Sequence, residues 1–148
     1  MWIHSLNKMK KTLNLILATA LLSACSKSVV IDDIEQLNGY WEISEVKTPE
    51  GDSKTFESNN NADLFELNAT QGTRTKVVSQ IDGSIQSNGI QENFVVKDSA
   101  NAIYLKYKTD FSEWTEKLER LNENELIIIN QNNIKYTYKR FTPININE

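Results

Sequence analysis

Histidine and cysteine are almost missing from this chain of 148 residues: His4 is the one histidine and Cys25 the one cysteine, so residues 26–148 contain neither. Without them that stretch cannot build a Ser-His-Asp or Cys-His nucleophile or use imidazole as a general acid or base. It also cannot form a disulfide or a zinc site based on Cys or His. Carboxylate-only chemistry and a hard-cation site of oxygen ligands stay open. A long apolar run is missing as well: Leu13–Leu22 is ten residues, against the ~20 a helix needs to cross a bilayer. Positive charge is sparse. From Cys25 onward 13 basic residues stand against 20 acidic ones, a formal charge of −7. That argues against nucleic acid or anionic headgroups as partners, because both attract clustered Lys and Arg.

What stands at the start is an address. Lys8, Lys10 and Lys11 precede the apolar Leu13–Leu22, and Leu22-Ser23-Ala24 runs into Cys25, the layout of an export signal over residues 1–24. The segment resembles the signal of bacterial lipoproteins. The resemblance implies cleavage before Cys25, thioether-linked diacylglycerol on its sulfur and acylation, palmitate included, of the new amino terminus. Two or more acyl chains make such an anchor stable, at about 0.8 kcal/mol per buried methylene. Ser26 beside the cysteine, where Asp would mark retention, implies the cell outer membrane by similarity to proteobacterial sorting. No acidic cluster follows Cys25 directly, which points to the periplasmic face. Met9, ahead of Lys10-Lys11, would also make a normal start, so translation begins at Met1 or Met9.

The chain from Cys25 is long enough for one domain and too short for two. Residues 25–37 read as a lipidated linker ending in one helical turn, with Asp32, Asp33 and Glu35 around apolar Ile34 and Leu37, stopped by Asn38-Gly39. Beyond it, segments rich in Val, Ile, Thr, Tyr, Phe and Trp predict eight strands: Tyr40–Lys47, Asp63–Asn68, Thr73–Ile81, Glu92–Lys97, Ile103–Lys108, Glu113–Leu121, Glu125–Asn130 and Ile134–Phe141. Between them lie turn residues, among them Asp82-Gly83, Asn88-Gly89, Asp98-Ser99 and Asn132-Asn133. Most of these connections are too short for a crossover helix, so neighbours in sequence should pair. Ile103, Leu105 and Tyr107 alternate with charged Lys106 and Lys108, and Ile134, Tyr136 and Tyr138 with Lys135, Thr137 and Lys139, each giving one dry and one wet face. Leu126-Ile127-Ile128-Ile129 is apolar on both faces and should be the best-covered strand or the one that meets the helical turn. The expected fold is all-β: an antiparallel up-and-down eight-stranded barrel over residues 38–142 with a tail at 143–148. Closure is the simplest way to remove the sheet edges; a two-sheet sandwich is the alternative.

Gly39-Tyr40-Trp41 follows the helical turn and opens the first strand, and Arg140 stands in the last, within Tyr138-Lys139-Arg140-Phe141. This resembles the Gly-x-Trp signature of the lipocalins, and with the lipobox it looks like the small lipocalin-like lipoproteins of Bacteroidota. The resemblance implies that Trp41 plugs the closed end and that Arg140 packs across its ring, a structural pair with Gly39. Two departures stand beside it. Thr109-Asp110-Phe111 is similar to the lipocalin Thr-Asp-Tyr turn but joins expected strands five and six, and Pro143 leaves no room for the usual C-terminal helix. Pocket residues are therefore not carried over.

Phe94, Tyr104, Tyr107, Trp114, Tyr136 and Tyr138 could line an apolar cavity or simply fill a core. Glu113, Glu116 and Glu119, at a spacing that alternates faces, read as a solvated edge rather than an acid pair. Asp32, Asp33 and Glu35 lack calcium-loop spacing, so no metal and no cofactor is expected. Asn68-Ala69-Thr70 and Asp98-Ser99-Ala100 spell glycosylation motifs. The sequence predicts a non-catalytic, membrane-anchored protein that binds a small apolar ligand. The alternative is a filled barrel serving as an envelope adaptor or inhibitor, and an enzyme comes third.

Overall fold

Strict alternation of side chains across each strand, joined by tight turns, leaves a meander only one way to hide both its edges. The structure, a computed structural model describing residues 29–58 and 60–143, takes that way. The export signal, Cys25 and the tail beyond Pro143 lie outside the described residues. A 3-10 helix, Ile31–Leu37, precedes nine strands. These are β1 (Gly39–Lys47), β2 (Ser53–Thr55), β3 (Asn61–Asn68), β4 (Gln71–Ser79), β5 (Ile85–Ser99), β6 (Ala102–Lys108), β7 (Glu113–Leu121), β8 (Glu125–Asn130) and β9 (Lys135–Arg140). All pairings are antiparallel, in the order β2-β1-β3-β4-β5-β6-β7-β8-β9, and β9 returns to pair with β1. That last pairing closes an eight-stranded barrel from β1 and β3–β9 and rules out the sandwich.

Two departures from the expected strands shape the open end. Ser53–Thr55 is too short and too polar to stand out in the sequence, and all three residues are exposed. It forms β2 because β1 offers it a partner: Glu45, Val46 and Lys47 pair with Thr55, Lys54 and Ser53. Asn88-Gly89, read as a turn between strands, instead lies inside β5. The β4–β5 register jumps from Thr75↔Gln91 to Val77↔Ser87, so the dipeptide is absorbed as a bulge, with Gly89 at φ +76°. β7 and β8 run where the sequence places them.

The core sits in the lower barrel. Leu37, Trp41, Phe65, Leu105 and Leu126 are fully buried, with Ile103, Ile128 and Tyr107 close behind. Each such side chain contributes about 1.5–3 kcal/mol by leaving water. The helix drops Ile34 and Leu37 into the closed end, packed against β3 and β7. Leu126, Ile127 and Ile128 are buried in succession, so β8 is covered on both faces; the helix meets β3 and β7 instead.

Candidate functional site

The closed end is organised by Gly39, Trp41 and Arg140. Trp41 and Arg140 are cross-strand partners on β1 and β9, and the guanidinium carbon lies 3.7 Å from the indole centroid. The same guanidinium donates to the carbonyls of Gln36 (2.8 Å), Asn38 (2.7 Å) and Glu123 (3.0 Å), while Trp41 Nε1 donates to Leu37 O at 2.8 Å. A cation thus caps the last carbonyls of the helix. Gly39 is required twice over: its φ is +117°, and a Cβ there would meet Arg140 Nη1 at 2.9 Å.

Above this floor the inward-facing aromatics form a chain. Phe65 and Phe94 meet edge-on at 6.1 Å, Phe94 and Tyr107 at 5.4 Å, and Tyr107 stacks on Trp114 at 4.8 Å. Tyr136 and Tyr138 also face inward from β9, half-buried and buried. Tyr104 does not join them. Its cross-strand partners are Lys97 and Lys117, both exposed, so it faces outward because it alternates with buried Ile103 and Leu105.

The interior is also charged, which composition alone does not reveal. Arg74 on β4 points inward over Tyr107, 4.6 Å from its centroid, and pairs with Glu92 (2.7 Å) and Glu116 (3.1 Å). Burial works against the charge on Arg74, but Tyr107, Glu116 and Glu92 around it outweigh burial and hold its pKa above the ordinary value. Glu116 therefore corrects the solvated-edge reading: it is 7 % exposed, because it shares the inward register of Trp114 and Leu118. Glu113 and Glu119 are surface partners of Lys108 and Lys135. The Tyr107 hydroxyl is buried close to Glu116 but without the geometry of a hydrogen bond. Burial pushes its pKa well above the ordinary range, and burial followed by Asp63 does the same for Tyr138.

One layer nearer the open end lies Asp63, 4 % exposed. It accepts from Lys76 Nζ at 2.9 Å and from the Tyr138 hydroxyl at 3.3 Å. Here the barrel wall parts. β1 pairs with β3 only through Gly39, Tyr40 and Trp41; above Trp41↔Asp63 its upper half bonds to β2 instead. A cavity of about 550 Å³ occupies the parting, with Trp41, Ile43 and Phe56 as its apolar wall and Asn61, Asp63 and Lys76 opposite. The β5 bulge contributes Asn88 to its rim. A larger depression of about 820 Å³ lies toward the outer wall around Gly72, lined by Glu66, Gln71, Asn93, Lys106 and Lys108 among others. It is more open and proportionally more polar than the smaller cavity, so the smaller one, with a buried carboxylate beside apolar walls, is the better binding site.

Asp63, Lys76, Arg74 and Glu92 were missed by sequence reasoning. The usable signal was the pairing of charges at alternate positions of β4, Arg74 and Lys76, with acids at the same inward phase of β3, β5 and β7.

Residues 37–128, more than half of the chain, match the family model of the lipocalin-like domain. No curated protein matches the sequence at a significant level. Among solved structures, a lipocalin-like protein from Bacteroides uniformis is similar at 13% identity and a TM-score of 0.45, over 72% of this chain and 99% of that one. An uncharacterized protein from Bacteroides eggerthii is similar at 15% identity and a TM-score of 0.45, over 71% and 99%. Lobster apocrustacyanin A1 shows 7% identity and a TM-score of 0.45, over 78% and 66%. With a helix-plugged, eight-stranded barrel and a family match running from Leu37 through most of the strands, the chain belongs to the lipocalin-like domain family.

Proposed function

We propose that this protein is a lipid-anchored carrier that holds a small organic ligand, without chemistry, in the cavity at the β1–β3 parting. The lipocalin-like barrel fold supports a ligand-binding role. The observation that carries the finer reading is the contrast between the two halves of the barrel. The lower half is filled by Phe65, Leu105, Leu126 and Ile128, whereas the upper half keeps about 550 Å³ beside Trp41, Ile43 and Phe56. That volume suits a small organic molecule.

Cys25 tethers the domain to the outer membrane on its periplasmic side. Val29 packs in the same core cluster as Ile34 and Leu37 at the closed end. Four residues of extended chain reach only about 14 Å, so the closed end sits near the lipid and the cavity opens away from it. Native mass spectrometry of the full chain exported to a bacterial periplasm tests the reading. A reproducible mass excess lost on denaturation supports a carrier; a bare mass that persists after incubation with envelope extract contradicts it.

A second reading, an envelope adaptor, is favoured by Phe111 and Ile81. Both sit in turns at the open end, 97% and 86% exposed, where a partner protein could cover them.

A further inference from the structure

Asp63 is a carboxylate almost wholly removed from solvent, yet Lys76, its one cationic partner among the described residues, has a side chain that is 65% exposed. The asymmetry has a structural cause. On the β3 side Lys76 is in register with Asp63; on the β5 side the register skips it, because the Asn88–Ile90 bulge faces it. Its side chain is mostly in solvent, so the ammonium group reaches Asp63 from the solvent side and can leave without uncovering buried surface. Beneath Asp63, Glu92 and Glu116 share the single guanidinium of Arg74. The inward-facing carboxylates of this half of the barrel therefore outnumber its cations, and they do so further once Lys76 swings out. A second carboxylate brought into the cavity would lie against Asp63 and be repelled.

From this we infer that the ligand carries an ammonium group, which replaces Lys76 on Asp63 while its organic part lies against Ile43 and Phe56. Lys76 is an internal stand-in for the ligand's cation. The inference rests on the carrier reading and specifies its ligand class as organic amines. A charge-assisted hydrogen bond to a carboxylate with little access to water is the strongest single contact the cavity offers. The Tyr138 hydroxyl, 3.3 Å from Oδ2, holds the carboxylate in place when Lys76 departs.

Three probes of one shape separate the possibilities: phenethylamine, phenethyl alcohol and 3-phenylpropionate, titrated calorimetrically into the full chain and into Lys76→Met and Asp63→Asn. Lys76→Met removes the competing cation and should raise phenethylamine affinity about fivefold, the worth of one exposed ion pair. Asp63→Asn should lower it about tenfold or more. Because Asp63→Asn alters a buried position, its melting curve is read first. Lys76→Met leaves the buried Asp63 without its cation, so its melting curve is read as well; a gain in affinity there is an effect of opposite sign that loss of folding cannot imitate. Phenethylamine should also raise the melting temperature of Lys76→Met more than that of the unaltered protein. If 3-phenylpropionate binds best and Lys76→Met abolishes it, the sign is wrong and the amine inference falls while the carrier reading stands. Equal binding of all three probes, indifferent to both variants, has the same meaning. Failure of every probe on both the unaltered protein and Lys76→Met overturns both.

Discussion

The guanidinium carbon of Arg140 lies over the Trp41 ring, 3.7 Å from its centroid, and its Nη1 occupies the space that a side chain on Gly39 would enter. The Gly-x-Trp pattern is thus a steric consequence of the cation that closes the barrel. Gly39→Ala should destabilise the fold by about 1–3 kcal/mol through its positive φ and the clash together. In an Arg140→Ala background the clash is gone and the strain remains, so the Gly39→Ala cost should be smaller there. A double-mutant cycle by urea unfolding measures the difference; strict additivity would contradict the account.

Gly72 carries a second close approach. A Cβ at this position would overlap the ring of Phe94 and crowd Glu66 O. Gly72→Ala should therefore cost about 1–3 kcal/mol by overpacking. Phe94→Leu, costly alone, should relieve part of the penalty when combined with it, as thermal melts of the two single variants and the double variant would show.

Arg74 is held by carboxylates on two other strands. Arg74→Met should cost about 3–5 kcal/mol, because it strands Glu116, whose side chain is 9% exposed. Adding Glu116→Gln should recover part of that loss. If Arg74→Met proves as stable as the unaltered protein, the network has no structural role.

Burial raises the Tyr107 and Tyr138 hydroxyls well above the ordinary value of 10.0. The folded chain then holds these protons more tightly than the unfolded chain does. Their contribution is complete below the unfolded value and is lost as pH rises through it, by up to about 1.4 kcal/mol per pH unit for each tyrosine. Tyr107→Phe should flatten the fall in stability above about pH 10. At neutral pH it should leave stability within about 0.5 kcal/mol or raise it, since the hydroxyl makes no hydrogen bond. Urea midpoints on either side of pH 10 decide both points.

Much of the wall was legible in the sequence, for a physical reason. β6 and β9 alternate because one face is dry and the other wet, and Leu126-Ile127-Ile128 of β8 is a continuous apolar run because both its faces are covered. β5 was not legible past Asn88-Gly89. That dipeptide favours positive φ, and a bulge uses the same preference as a turn. The interior charges escaped for a related reason. In β4 the inward phase is Arg74, Lys76 and Val78, of which Lys76 and Val78 are exposed at the parting, while Thr75, Val77 and Ser79 on the other phase are buried. A period of two therefore reads that strand with its faces exchanged. Only the partners on other strands, Asp63, Glu92 and Glu116, reveal which face turns inward, and pairing across strands is what a single sequence shows least.

The proposed carrier takes its ligand into the β1–β3 parting and not into the larger outer depression. Amide chemical shifts of the isotope-labelled full chain, followed during titration with phenethylamine, test it most directly. Saturable shifts are expected at Ile43, Asn61, Asp63 and Val78, with Asn93, Lys106 and Lys108 unmoved. Shifts confined to those last three, around Gly72 on the outer wall, would contradict it.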